Sequence, residues 1–98
     1  MTQIFLRGRL VCRDDQEVDL VTTHLPRHIE LTRAENGCIS FTVAPTEDPL
    51  VWSVDETFRD AAAFQRHQDR VRDSEWGRAT APIERDYSIE GLDPPPPS

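Results

Sequence analysis

Three ionisable side chains stand in stretches that otherwise have the pattern of a buried core. Glu56 and Arg85 each interrupt a segment of alternating apolar residues, and His67 lies at the edge of a helical apolar stripe. Burying a charge is costly unless it is paired. We therefore take Glu56, His67 and Arg85 as candidate catalytic residues. His67 would remove a proton, Glu56 would orient His67 or raise its pKa, and Arg85 would hold the resulting anion.

Four aromatic side chains are candidates for the walls of a substrate pocket around these residues: Trp52, Phe58, Trp76 and Tyr87. Trp76 lies in an irregular stretch beside Gly77, where a pocket rim is expected. A structural alternative remains open. In it, the aromatic residues belong to the core and the charged groups form an ion-pair network that clamps a helix to the sheet.

Apolar periodicity predicts the elements that would position these residues. Alternation predicts strands over residues 3–12, 38–44, 50–58 and 82–89. Helical spacing predicts one helix from Asp14-Asp15 to Asn36-Gly37, a second over 60–71, and a short helical or irregular stretch over 73–80. Pro26 lies inside the first helix and predicts a kink or a new start near Leu25. Within the second strand, Ile39, Phe41 and Val43 are expected to share one face.

The element order β-α-β-β-α-β predicts an α+β, ferredoxin-like fold. Right-handed crossovers give one antiparallel sheet with strand order 4-1-3-2 and both helices on one face. On the open face, Arg7 and Arg9 would lie beside Asp55, Glu84 and Asp86, so opposite charges would meet. This face could be solvated, or it could meet a second sheet.

Length and charge indicate one small acidic domain. The chain has 98 residues and a formal net charge of -7, and its basic residues are interleaved with acids, which argues against nucleic acid as a partner. No apolar run approaches the roughly 20 residues needed to span a bilayer, and no signal peptide is evident. We expect a cytoplasmic protein with no membrane contact. The domain would cover 1–91, and the proline-rich stretch 92–98 would be a disordered tail.

Nothing in the sequence indicates a bound cofactor or metal. The four glycines are isolated and form no phosphate-binding loop. His24 and His28 are four residues apart, but no third ligand is evident and Pro26 lies between them, so we predict no metal site. Cys12 and Cys38 have no metal-binding spacing and are expected to be reduced core thiols.

Three stretches resemble the antibiotic biosynthesis monooxygenase (ABM) family of dimeric α+β barrels, and the first two are the more specific. The segment LTRAENGCISF (31–41) is similar to the family's TRAEPGCLSF, with Asn36 in place of proline. Glu56-Thr-Phe58 followed by Ala63-Phe64 and His67 is similar to its E-x-[WF]…A-F…H block. The resemblance covers roughly residues 3–91, and the later stretches around 74–76 and 85–87 add to it weakly.

The resemblance implies a homodimer whose two sheets meet with the Arg7 and Arg9 face inward. It also implies a pocket between sheet and helices, and oxidation of aromatic phenols or quinols by O₂ without metal, flavin or haem. Haem-degrading relatives use an Asn on the first strand, which is absent here. We therefore predict a cofactor-independent monooxygenase of a small aromatic substrate. The alternatives are a non-catalytic dimeric small-molecule-binding or stress-response protein, and an isomerase-like or lactone-forming enzyme.

Overall fold

The computed structural model describes residues 2–92, which form one layer of sheet covered by helices on one side. Four strands make an antiparallel sheet in the order β2-β3-β1-β4. This confirms the predicted ferredoxin-like topology. The predicted tail lies outside the described residues except for Leu92. The elements are β1 (Ile4–Val11), α1 (Asp15–Arg33), β2 (Cys38–Pro45), β3 (Val51–Phe58), α2 (Ala61–Arg72), α3 (Glu75–Ala79) and β4 (Glu84–Glu90).

Side-chain caps determine where the helices begin. The Asp14 carboxylate accepts a hydrogen bond from the Glu17 backbone N–H at 3.0 Å, and the Asp60 carboxylate accepts one from Ala63 at 2.8 Å. Each cap satisfies an N–H group that has no partner within the helix, which stabilises the helix start by about 1 kcal/mol. The start of α2 in turn sets the face on which His67 lies.

Helix α1 continues through Pro26 without interruption, so the predicted new start near Leu25 is wrong. A proline in a helix interior costs about 3 kcal/mol. Packing of the buried face of α1 offsets that cost, because most helical stability in proteins comes from tertiary contacts. The buried residues of this face are Glu17, Val21, Leu25, His28 and Thr32. Gly37 has a φ of 100°, as the predicted turn requires, although the helix itself ends at Arg33.

A bulge at the start of β2 places Ile39 differently from its prediction. The pairing of β2 with β3 skips Ile39, which is an extra residue in the ladder. Ile39 is therefore 53% exposed. Strict alternation had predicted that it would share a face with Phe41, which is buried, and Val43.

The open face of the sheet carries the predicted charge pairs. Arg7 lies opposite Asp55 across β1 and β3, and their side chains approach to 3.5 Å. Arg9 pairs with Asp86 of β4 at 2.9 Å. Glu84 lies opposite Val11 instead. Within residues 2–92, no helix combines the length and apolar character that a membrane crossing requires.

Candidate functional site

A cavity of about 300 Å³ lies between the sheet and the helices. Five of the seven residues selected from the sequence line it: Glu56, His67, Trp76, Arg85 and Tyr87. Its apolar floor comes from the strands, and α1 contributes one ring. The other lining residues are Leu6, Leu10, His28, Phe41, Val43, Val54, Gln68, Val71, Arg72, Gly77 and Ala81.

Trp52 and Phe58 are not among the residues that line this cavity. Phe58 is fully buried, with its ring centroid 5.6 Å from Phe64 and 4.8 Å from His67. It therefore packs behind His67. Trp52 is partly buried against the core, and its indole Nε1 is buried without a hydrogen-bond partner.

His67 is a buried polar residue of the cavity whose ring is held by a short hydrogen bond to a carboxylate. Its side chain is only 3% exposed, and its Nδ1 lies 2.7 Å from Glu35 Oε1. Because a carboxylate accepts hydrogen bonds, this contact places the ring proton on Nδ1 and leaves Nε2 free as a base. Nε2 lies 3.6 Å from Glu56 Oε1, which is too long for a hydrogen bond. A substrate hydroxyl group could bridge these two atoms.

Glu35 is a functional candidate that the sequence analysis missed. It follows α1 and holds two partners at once, since its Oε2 accepts from Arg70 Nε at 2.7 Å. Arg70 also donates to Thr32 Oγ1 at 3.0 Å. The carboxylate of Glu35 is thereby held in place, and it orients the His67 ring. Spacing alone does not distinguish Glu35 from a surface acid, and the available sign was its place in the family-like segment 31–41.

Burial shifts the pKa values of Glu56 and His67, whose side chains lie 3.6 Å apart in the cavity. Desolvation raises the pKa of Glu56 to about 7, with smaller contributions from the charges of Glu35 and Asp55. Desolvation also lowers the pKa of His67, and the hydrogen bond that His67 Nδ1 donates to Glu35 opposes this shift. Near neutral pH the site therefore holds a neutral His67 beside a Glu56 that is balanced between its acid and its carboxylate. A pair of this kind can accept and return one proton.

The Arg85 guanidinium is largely engaged by the protein itself. One nitrogen donates to the carbonyl groups of Thr80 at 2.6 Å and Ile83 at 3.0 Å, and the other donates to Thr80 Oγ1 at 2.7 Å. Arg85 thus ties β4 to the end of α3 while its charge stays beside the cavity. Burial raises the pKa of the neighbouring Tyr87 to about 12, so its phenol stays neutral.

His28 is a second residue whose role the sequence did not indicate. Its ring stacks on Trp76 with centroids 4.5 Å apart and planes within 3°. Burial, with smaller contributions from the nearby His67, Arg70 and Arg85, lowers the pKa of His28 to about 3, so the ring is neutral. Its spacing from Val21 and Leu25, seven and three residues earlier, was an available sign that it lies on the buried face of α1.

Within residues 2–92, no group of three or more His, Cys, Asp or Glu side chains is arranged to hold a metal ion. The site is thus built from an aromatic wall and a chain of neighbouring ionisable side chains. That chain runs from Arg70 through Glu35 and His67 to Glu56.

The fold and the cavity together define a ferredoxin-like protein with a buried histidine and a buried glutamate in an aromatic pocket. Within this class, the chain belongs to the antibiotic biosynthesis monooxygenase family, whose sequence model matches residues 8–76. This confirms the family resemblance of the 31–41 segment and the block that ends in His67. A search of curated proteins gave no significant match.

Solved structures share the fold at low sequence identity. A candidate antibiotic biosynthesis monooxygenase from Nitrosomonas europaea superposes with a TM-score of 0.76 and 14% identity, covering 97% of this chain and 95% of that one. A candidate family member from Deinococcus radiodurans has a TM-score of 0.69 and 14% identity, with 88% of each chain covered. Rv0793 from Mycobacterium tuberculosis has a TM-score of 0.71 and 20% identity, covering 90% and 92%.

Proposed function

We propose that this protein is a cofactor-independent monooxygenase that oxidises a small aromatic phenol or quinol with O₂. The proposal depends chiefly on the geometry of His67. Its Nδ1 is held by Glu35 at 2.7 Å, and its Nε2 stands 3.6 Å from Glu56, a second cavity residue. This arrangement is that of a general base oriented by a carboxylate. Family membership supports the reaction class.

The chemistry requires only that the substrate become electron-rich. His67 Nε2 removes the phenolic proton, and the phenolate gives one electron to O₂, forming a phenoxyl radical and superoxide. These combine at a ring C–H carbon, and the protonated His67 returns its proton to the peroxide. Loss of the ring proton and cleavage of the O–O bond then leave a carbonyl group and release water. One oxygen atom enters the product, the other leaves as water, and the substrate supplies all the electrons.

The remaining cavity residues would position the substrate. Trp76 and Tyr87 offer aromatic surface for the ring. The charge of Arg85 lies beside the cavity and would stabilise the phenolate, although three protein acceptors already hold its N–H groups. The raised pKa of Glu56 allows it to donate a hydrogen bond to the same oxygen when it is protonated.

We also propose that two copies associate through the open faces of their sheets. Arg7 and Arg9 present charge pairs there with more than half of each side chain exposed. A sheet covered on one side only can use its other face for association. Light scattering at micromolar concentration tests this proposal. A mass of about 22 kDa, twice the 11.2 kDa of one chain, supports it. A mass near that of one chain contradicts it.

Oxygen uptake with a panel of one-ring and two-ring phenols and quinols, compared with three-ring hydroxyanthrones, tests the catalytic proposal. We expect His67→Ala to lower turnover by about 10²–10⁴-fold, the usual contribution of a general base. Glu56→Gln should lower it less, because the amide can still donate a hydrogen bond. Arg66→Ala, at an exposed position of α2, and Glu47→Gln, in an exposed turn, are the matched controls. A folded His67→Ala protein with undiminished turnover would end the assignment.

A non-catalytic binding protein is the second candidate, and the hydrogen bonds of Arg85 and Arg70 favour it. Both guanidinium groups are engaged by protein acceptors, as they would be in a structural clamp. In that case no substrate would consume oxygen. His67→Ala and Glu56→Gln would each lose on the order of 1–3 kcal/mol of unfolding free energy. Ligand binding would then fall only in step with folding.

A further inference from the structure

We propose that the stacked pair of His28 and Trp76 is a wall that limits the substrate to about two fused rings. The inference concerns the cavity named in the proposed function and rests on that proposal for the chemical class of the ligand. It assigns substrate specificity to two residues outside the acid–base pair.

A second cavity shares this pair with the first. It has a volume of about 280 Å³ and is lined by α1, by the C-terminal part of α2 and by the start of α3. The sheet contributes nothing to its lining. Of the residues that line the two cavities, only His28 and Trp76 are common to both. The stacked rings are therefore the material that separates the sheet-side cavity from the helix-side cavity.

Ring contacts pack the His28 side chain into the wall. Its Nδ1 is buried and has no hydrogen-bond partner. One ring face lies on Trp76, and Phe41 meets the ring at 85° with centroids 5.2 Å apart. Only 5% of His28 is exposed. Removing the Trp76 ring therefore removes the main support of His28 as well.

Backbone contacts hold the Trp76 half. Ser74 caps α3 by accepting a hydrogen bond from the Gly77 N–H at 3.0 Å, and Thr80 Oγ1 donates to the Trp76 carbonyl at 2.6 Å. An added Cβ at Gly77 would lie 1.9 Å from the Val71 carbonyl oxygen, so only glycine allows α3 to pack this closely on the end of α2. The wall is accordingly built on a rigid support.

The volume of the sheet-side cavity indicates the size of the ring system that fits beside the wall. An engineered cavity of about 150 Å³ accommodates benzene. A cavity of about 300 Å³ therefore has room for about two fused rings. A third ring that extends toward α1 would meet the wall, whereas opening the wall would about double the available volume.

Binding in deoxygenated buffer separates this inference from the proposed activity, because no turnover can occur. The probes are 2-naphthol and 2-hydroxyanthracene, which differ by one ring and report through their own fluorescence. Without a size limit the larger phenol should bind more tightly, since it buries more apolar surface. We expect the wild-type protein to bind 2-naphthol at least about tenfold more tightly, a difference of 1.4 kcal/mol.

Trp76→Ala should shift the ratio of the two affinities toward 2-hydroxyanthracene by about tenfold or more. His28→Ala opens the same wall from α1 and should shift it in the same direction. Trp52→Ala is the matched control, because this tryptophan lines neither cavity, and its ratio should stay at the wild-type value. Circular dichroism checks the fold of each variant, and His28→Ala decides the question if Trp76→Ala does not fold.

Equal or tighter binding of 2-hydroxyanthracene by the wild type would overturn the inference. An unchanged ratio in a folded Trp76→Ala or His28→Ala variant would overturn it too. If the ratios shift as expected but no phenol consumes oxygen, the wall stands and the monooxygenase proposal fails. The two failures are therefore distinguishable.

Discussion

Both faces of the sheet carry ionisable side chains, but those on the open face are exposed to solvent and those on the other face are covered by helices. On the open face, Arg7–Asp55 and Arg9–Asp86 pair at 3.5 and 2.9 Å with more than half of each side chain exposed. On the covered face, Glu35 holds His67 at 2.7 Å, and His67 approaches Glu56 at 3.6 Å. Both His67 and Glu56 are over 90% buried.

Exposure to solvent, more than pairing, determines how far the pKa of an ionisable group shifts in this fold. Exposed pairs contribute about 0–1 kcal/mol each because water screens them. Buried groups lose their hydration, so the environment changes which protonation state is stable. On the covered face this raises the pKa of Glu56 to about 7 and lowers that of His28 to about 3. The groups suited to acid–base chemistry therefore lie under the helices.

The largest effect on stability should come from removing the carboxylate that joins the buried network. Glu35→Ala leaves Arg70 and His67 without their shared partner, and we expect a loss of about 3 kcal/mol in unfolding free energy. Urea denaturation measures this. Asp69→Ala is the matched control, since Asp69 pairs with Arg72 on the exposed side of α2 at 3.6 Å. Equal losses in the two variants would show that burial does not distinguish them.

Glu56 should lower the free energy of unfolding as the pH rises. Its carboxyl keeps its proton in the folded protein up to about pH 7, whereas the unfolded chain releases it near pH 4.5. Over that window the folded state binds more protons, so stability falls as pH rises. Between about pH 5 and pH 7 the loss should be about 2 kcal/mol relative to Glu56→Gln. Parallel denaturation curves for the two proteins would contradict the shift.

His28 should change the free energy of unfolding with pH in the opposite direction and by a similar amount. Its pKa is about 3 in the folded protein and 6.5 in the unfolded chain, so the unfolded state binds more protons below pH 6.5. Stability therefore rises with pH over this range. Relative to His28→Phe, the wild type should gain about 2 kcal/mol between about pH 5 and pH 7. A flat difference between these proteins would mean that His28 is not desolvated as its burial indicates.

The smallest effect on the folding of one chain should come from the open face. Asp86→Asn removes the partner of Arg9, and we expect the unfolding free energy at low protein concentration to change by less than about 1 kcal/mol. In the proposed dimer this pair lies at the interface, so dimer dissociation should respond instead. Sedimentation at several concentrations measures the dissociation. A loss of several kcal/mol in the dilute protein would show that the open face behaves like the covered one.

The topology could be predicted because it depends on rules that act locally. Alternating residues predicted the strands, Asp14 and Asp60 marked the helix starts, and crossover handedness then ordered the strands. The charge pairs of Arg7 and Arg9 followed from that order. Even so, a bulge removes Ile39 from the face that Phe41 occupies, and the apolar pattern gives no sign of this bulge.

The site could be predicted only in part, because its contacts join residues that are distant in the sequence. Composition and spacing selected Glu56, His67 and Trp76, which are unusual in their own segments, and all three line the cavity. The helical spacing of His28 and the place of Glu35 in the family-like segment were available signs, but neither shows which residues these side chains contact. Glu35 reaches His67 across 32 residues, and His28 reaches Trp76 only when α3 packs beside α1.

The sequence by itself determined the order of elements, the caps and the alternation of buried and exposed residues, since each depends on neighbours within one or two turns. Only the tertiary structure decided which carboxylate orients His67 and which rings divide the space beside it. Those outcomes depend on desolvation and on close packing between helices. Both arise only when segments far apart in the chain exclude water from one another.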